Sequence, residues 1–321
     1  MLSSPRPRIR KKSSPPLGAI LVIALLLVSA YVSHQHRARA EAYQHWLATP
    51  IAFKVPSLPK PIVKPLPPLP FPIGEPSGIL WNLNNGQLLW SLHPHQVGPL
   101  ASTTKLMTIY LILHHLPLSQ TVVISPTAAG TGGSDMRMAP GQQFTVHQLL
   151  YGLMLRSAND TSVALAQALS GHTANFVGLM NQTAKTWGLR GLSFADPDGL
   201  SPLSRGTAWD LSVIAMQDLR NPVFRQIVAT KLTSLPHNPV VRNLNGLLFQ
   251  DPSVIGLKTG WTTQAGFNVV FAATRTVHGK PVTLLGIIMH GQQGFPPAYH
   301  DAEQILNWGF AQVTTRAENL P

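Results

Sequence analysis

Ten prolines fall between residues 50 and 76 (Pro50, Pro56, Pro59, Pro61, Pro65, Pro67, Pro68, Pro70, Pro72 and Pro76), and they divide what the chain can become. Proline fixes φ and lacks a backbone N–H, so neither a helix nor a central strand runs through such a stretch. It reads as an extended, semi-rigid spacer of roughly 3 Å per residue. Before it stands an uncharged apolar run, LGAILVIALLLVSAYV at residues 17–32, preceded by five positive charges. That pattern is a signal-peptide core or a short signal anchor. A small-x-small site at Ala38-Arg39-Ala40 lies eight residues past the run, which is far for cleavage. The reading therefore favours an uncleaved anchor with its basic end in the cytoplasm. The expected division is a basic N-terminus with anchor or signal peptide over 1–40, a Pro-rich linker over 41–76, a folded domain over 77–314 and a tail over 315–321.

The formal charge of +12 would suit a nucleic-acid partner, but its distribution argues otherwise. Seven basic residues and no acid precede residue 41, and three lysines lie in the linker. From residue 77 onward 14 basic residues face 10 acidic ones, scattered without a basic helix or an aromatic-basic array. Nucleic-acid binding is not expected; an anionic wall polymer or membrane surface suits a mildly basic face. The chain has no cysteine, which excludes disulfides, thiolate zinc sites and a cysteine nucleophile. No His-Glu-x-x-His occurs, so neither a zinc peptidase nor any other metal or cofactor is indicated.

The folded part begins at Ser77. GILWNLNNGQLLWSL reads as a hairpin of two alternating strands about an Asn85-Gly86 turn. A helix follows from about Ser102 to His115, apolar on nearly every face and so expected at the centre. Thr145 to Leu155 reads as a second helix opened by a Thr145/Gln148 capping box. Helical patterns recur near 160–169, 174–187 and 207–219. Strands are expected at 254–259, 266–275 and 281–289, the last two joined at His278-Gly279, with a final helix from about Ala298 to Phe310. A hairpin, a helical block and three more antiparallel strands imply one α+β domain, with the first hairpin joining the last strands in one sheet.

Three short motifs carry chemistry. In Ser102-Thr103-Thr104-Lys105 a hydroxyl and an amine lie three apart on one helical face. Ser102 at the helix start faces the positive helix end, and its N–H is free to meet an oxyanion. A desolvated lysine beside other cations can be neutral and act as the base for the serine. About one Ser-x-x-Lys arises by chance in a chain this long. A second copy, Ser57-Leu58-Pro59-Lys60, sits in the proline tract where no helix forms. In Ser157-Ala158-Asn159, between two helical segments, the hydroxyl suits a proton relay and the amide suits a substrate carbonyl; helix capping by both residues is the competing account. In Lys258-Thr259-Gly260, closing a strand, cation and hydroxyl suit a carboxylate. Gly260 lets a ligand approach the sheet edge, and the N–H of Trp261 is a candidate second oxyanion donor.

The ordered set resembles the active-site serine penicillin-recognising enzymes. The flanks are similar to the low-molecular-weight D-alanyl-D-alanine carboxypeptidases: Leu100-Ala-Ser-Thr-Thr-Lys-Leu-Met-Thr108, Gly132-Gly-Ser134, Ser157-Ala-Asn-Asp160, Asn245-Gly-Leu-Leu248 and Lys258-Thr-Gly-Trp-Thr262 with Ala265-Gly-Phe-Asn268. The resemblance implies the β-lactamase/transpeptidase-like fold, an antiparallel sheet with flanking helices and a helical subdomain. It implies peptidoglycan stem peptides as substrate, a Ser102 acyl-enzyme, and β-lactams as covalent inhibitors. Lys105 would be the base, Ser157 and Asn159 relay and substrate holder, and Lys258 with Thr259 the carboxylate site. The cell envelope is then the expected location: the cytoplasmic membrane with the domain outside, or secretion if the leader is cleaved.

Three departures from that pattern stand out. Ala158 replaces the usual glycine, a methyl expected to narrow the cleft. Trp261 stands where many relatives have histidine. Some relatives hold the terminal carboxylate with a late arginine, yet no Arg or Lys lies between Lys280 and Arg316, and Gln292 falls near that place. Nor is the all-β second domain of many relatives expected after Phe310, so membrane attachment would fall to the N-terminal segment. Competing functions are a D,D-endopeptidase cutting cross-links, a non-catalytic wall or antibiotic sensor, and a β-lactamase. The last needs an acid to activate water, and no acid occurs between Asp160 and Asp196.

Overall fold

The computed structural model describes residues 66–318; the expected anchor or signal segment and the first part of the spacer lie outside the described residues. In chain order the main elements are β1 (Ser77–Asn82), β2 (Gln87–Leu92), α1 (Lys105–His115), α2 (Val146–Leu155), α3 (Asn159–Ser170), α4 (Thr173–Thr186), α5 (Ala208–Asp218), α6 (Pro222–Ala229), β3 (Val254–Thr262), β4 (Gly266–Val277), β5 (Lys280–Gly291) and α7 (Phe295–Glu318). The five strands form one antiparallel sheet in the order β2-β1-β5-β4-β3. The expected joining of the first hairpin to the last three strands is thus observed.

Strand alternation sorts the apolar side chains onto two faces. Ile79, Trp81, Val270, Ala272, Leu285 and Ile287 point into a core shared with α1–α6. Leu80, Val269, Phe271, Ala273, Leu284 and Ile288 point into a second core under α7. The register pairs like with like: Ile79 opposite Ile287 and Trp81 opposite Leu285. Each such fully buried side chain contributes roughly 1.5–3 kcal/mol. With helices on both faces, all six residues of β1 are buried, including Trp81, whose indole N–H donates to Ser212 Oγ of α5 at 3.1 Å. β1 is therefore not half-exposed, as alternating strands would suggest. Its link to β2 is a four-residue loop, not a two-residue turn. Asn82 pairs with Gln87, Asn82 Oδ1 accepts from the Asn84 N–H, and Asn85 Oδ1 accepts from the Gln87 N–H.

The capping box at α2 is present in both directions, Gln148 N–H to Thr145 Oγ1 at 3.2 Å and Thr145 N–H to Gln148 Oε1 at 2.8 Å. Among the described residues, two of the elements not expected from the sequence matter most here. One is α6, capped by Asn221 with Pro222 in its first turn. The other is a two-stranded ladder of Leu232–Leu235 with Asn238–Arg242. Leu66, Leu69, Phe71 and Ile73 pack against the α7-side core, so the end of the proline tract lies on the domain.

Asp218 ends α5 fully enclosed, and neither carboxylate oxygen has a hydrogen-bond partner among the described residues. Burial alone holds its carboxyl well above the usual 3.8. The folded chain thus keeps a proton that the unfolded chain releases above about pH 4, and stability falls as pH rises through that range. Asp218→Asn is expected to raise Tm by several degrees at pH 8 and by little at pH 4, read by thermal melts at both pH values. An equal change at both would remove the ionisation account.

Candidate active site

The site forms where the segment Gly98–Ser102 crosses the sheet. Each strand beneath supplies one support. The His290 ring of β5 packs against Gly98, where a Cβ would lie 2.3 Å from its Cε1. Asn268 of β4 donates through Nδ2 to the Pro99 and Leu100 carbonyls at 3.2 and 3.0 Å, and its Oδ1 accepts from the His290 N–H. Gly260 of β3 lies under the serine itself; a Cβ there would stand 2.9 Å from the Ser102 and Thr103 nitrogens. Gly260→Ala is therefore expected to displace the serine N–H and slow penicillin acylation by roughly 100-fold, the scale of one lost oxyanion donor. An acylation rate within twofold of the parent would remove that contact from the site.

Ser102 occupies a 3₁₀ turn, Ala101–Thr104, and the α-helix proper starts at Lys105. The three-residue spacing survives this change, and Lys105 Nζ lies 2.9 Å from Ser102 Oγ. Lys105 is fully buried, with its Nζ also 2.7 Å from Asn159 Oδ1 and 2.7 Å from the Asp198 carbonyl. A neutral amine has two hydrogens and one lone pair. Two fixed acceptors take the hydrogens, which leaves the lone pair for the serine hydroxyl. Burial drives the Lys105 ammonium down to about 8, against the pull of Asp198, Asp196 and Asp160. An appreciable neutral fraction at neutral pH follows.

The second motif joins the first through side chains. Ala158, not Ser157 or Asn159, is the cap position of α3, and neither flanking side chain caps the helix. Asn159 Oδ1 serves Lys105, and its Nδ2 donates to the Gly132 carbonyl at 2.8 Å, leaving one N–H free for a substrate carbonyl. Its backbone N–H donates to Ser134 O at 2.7 Å, so the Gly132–Ser134 stretch braces this residue. The Ala158 methyl is fully buried in the helical-side core and does not narrow the cleft as expected.

Ser157 holds φ at +58°, unusual for a side chain with a Cβ. Its hydroxyl meets Lys258, whose Nζ lies 2.9 Å from Ser157 Oγ and 2.7 Å from the Thr259 carbonyl. Burial, then the neighbouring charge of Lys105, holds Lys258 well below the usual lysine value. Two buried lysines therefore each touch one serine hydroxyl.

Ser102, Lys105, Ser157, Asn159, Lys258 and Gly260 lie together in the structure, and Thr259 joins them through its carbonyl, which accepts from Lys258 Nζ at 2.7 Å. The Trp261 side chain does not. Its indole is half exposed and stacks on Phe267 at 5.8 Å, which in turn packs against Phe295 of α7. Gln292 folds back, with Nε2 donating to the His290 carbonyl at 2.9 Å. Sequence reasoning missed Asn268 as a support and the two backbone acceptors, Asp198 O and Gly132 O. Every residue carries a carbonyl, so such partners leave no compositional signal. The turn-forming Asp196-Pro197-Asp198-Gly199 was the one visible hint.

A sequence profile described as D-alanyl-D-alanine carboxypeptidase matches residues 70–290. The chain is 32% identical over 252 residues to D-alanyl-D-alanine carboxypeptidase DacA of Haemophilus influenzae, covering 74% of this chain and 62% of that protein. It thus spans about three-fifths of that relative's length. It is 33% identical over 240 residues to a D-alanyl-D-alanine carboxypeptidase of Mycobacterium tuberculosis, covering 73% of this chain and 81% of the relative. The crystal structure of a Streptomyces DD-transpeptidase superposes with a TM-score of 0.69 at 31% identity, over 78% of this chain and all of the other.

Proposed function

The chain belongs to the D-alanyl-D-alanine carboxypeptidase family of serine peptidases, and from that premise we propose that it removes the terminal D-alanine from peptidoglycan pentapeptide stems through a Ser102 acyl-enzyme. The observation that carries the proposal is the fully buried Lys105 amine, 2.9 Å from Ser102 Oγ and 2.7 Å from both Asn159 Oδ1 and the Asp198 carbonyl. Lys105 takes the hydroxyl proton as Ser102 Oγ bonds to the carbonyl carbon of the penultimate D-alanine. The N–H groups of Ser102 and Trp261 hold the oxyanion. Ser157, hydrogen-bonded to Lys258, relays the proton taken up by Lys105 to the amine of the departing D-alanine as the peptide bond breaks, so that Lys105 returns to its neutral form. Water then hydrolyses the ester and regenerates Ser102. A β-lactam opens on the same serine and remains as an inhibitory adduct.

Lys258 and Thr259 hold the terminal carboxylate in this scheme. No Arg or Lys occurs between Lys280 and Arg316, and Gln292 is turned back on its own strand. That observation favours, as a second reading, a D,D-endopeptidase that cuts the cross-links between stems. A pentapeptide monomer and a cross-linked dimer separate the two. Carboxypeptidase action predicts at least tenfold faster cleavage of the monomer; preferential cleavage of the dimer would move the assignment to the endopeptidase.

The proposal extends to location. Residues 17–32 anchor the chain in the cytoplasmic membrane and the proline tract holds the domain outside it, toward the wall. The support is the apolar run with its five preceding positive charges. Among the described residues no helix is long and apolar enough to cross a membrane. Removal of residues 1–40 should move the protein from the membrane to the soluble fraction, and retention on the membrane would refute the anchor.

A further inference from the structure

The loop Asp196–Gly199 is fastened around the nucleophile's turn at three successive residues. The Pro197 carbonyl accepts from Thr108 Oγ1 at 2.6 Å, one turn of α1 beyond Lys105. The Asp198 carbonyl accepts from Lys105 Nζ at 2.7 Å. Gly199, at φ +83°, lies against the backbone of Ala101, where a Cβ would come within 1.8 Å of the carbonyl oxygen. The loop is stiffened from within. Asp196 accepts from the Gly199 and Ser201 N–H groups at 3.1 and 2.6 Å and from Ser204 Oγ. Asp198 Oδ1 accepts from the Leu200 N–H at 2.9 Å, and only 4% of this residue is exposed.

We infer that Asp198 is a positioning residue for the proposed base, its carbonyl fixing one hydrogen of the Lys105 amine and its buried carboxylate setting how readily that amine gives up its proton. The inference rests on Lys105 being the base. Charged groups bear on the amine from every side. Asp198 and Asp196 come from the loop and Asp160 from α3, while Lys258 of β3 is a second buried amine whose own value the Lys105 charge depresses. Asp198 is the largest of the opposing charges, after burial itself. Burial also pushes the Asp198 carboxyl up to about 6, partly reversed by Lys105. Without an anion there, burial would leave Lys105 neutral at lower pH but a weaker acceptor for the serine proton. A base is most useful when its pKa lies near the working pH. The carboxylate keeps the amine near that range.

The test is the pH profile of acylation by a fluorescent penicillin, run on the full chain and its variants. Loss of the negative charge lowers the Lys105 pKa, so Asp198→Asn should move the acid limb down by about one pH unit. The plateau should fall several-fold, with the melting temperature within a few degrees of the parent. Asp198→Glu keeps the charge and should keep the limb near its parental position, whatever its plateau. Should the Asn variant fold poorly, Asp198→Ser still offers an oxygen to the Leu200 N–H and should shift the limb the same way. An unmoved acid limb in the charge-free variants, with only a lower plateau, would overturn the inference and leave the loop a purely structural clamp. Failure of the underlying reading looks different. Lys105→Met would then acylate at near-parental rates, and the parent would show no acid limb to move.

Discussion

Replacement of Ser102 by alanine is expected to abolish the covalent penicillin adduct and to lower kcat/KM on a D-Ala-D-Ala peptide by about 10⁴–10⁶-fold, the scale seen when a nucleophile is removed from an acting set. The Ser102 hydroxyl is the atom on which the other groups converge, 2.9 Å from Lys105 Nζ. Its loss leaves Lys105 with its other two acceptors, Asn159 Oδ1 and Asp198 O, so the fold should persist. Intact-protein mass after penicillin treatment reads the adduct, and melting reads the fold. A stoichiometric adduct on the alanine variant, mapped to another serine, would contradict the assignment.

Lys105→Met is expected to cut acylation by about 10³-fold or more, because the serine then has no base within reach. The same variant should change the pH dependence of stability. The folded-state value near 8 lies below the ordinary 10.5, so the folded chain binds this proton more weakly than the unfolded chain does. The cost of burying the ammonium is therefore full below about pH 8 and fades as pH rises toward 10.5. Parental stability should gain over that window from this group, and Lys105→Met should lose the gain. Thermal melts at pH 7 and pH 10 read the difference between the two proteins. A parallel pH response in both would mean that Lys105 is not strained by burial in this way.

The parts of this arrangement that were legible in the sequence depend on local or periodic signals. The Thr145/Gln148 box closes within four residues, so its partners are adjacent in the chain. Ser102 and Lys105 were read as one face of a helix, and a 3₁₀ turn preserved their proximity because residues three apart also align in that geometry. Strands β3 to β5 carry long apolar patterns, and helices on both faces explain why β1, read as an alternating strand, is buried throughout. What escaped was non-local or proline-marked. Pro222 and Pro239 interrupt the local patterns of α6 and the 238–242 strand, although Asn221-Pro222 is a helix-start signal. Capping offered a sufficient local reason for Ser157 and Asn159, and only the distant Lys258 and Lys105 reveal their actual partners. Ala158 and Trp261 were placed by motif position. The fold turned one methyl into the core and one indole onto Phe267, outcomes that depend on packing the motif does not encode.

The central claim is that Ser102 cleaves the terminal D-alanyl bond of peptidoglycan stems. The most direct test is mass analysis of purified muropeptides incubated with the protein, with Ser102→Ala beside it. Pentapeptide monomers and cross-linked dimers should both be supplied. The predicted result is loss of one alanine from the monomers, absent with the variant. Dimers falling to monomers without that loss, or no change in either substrate, would contradict it.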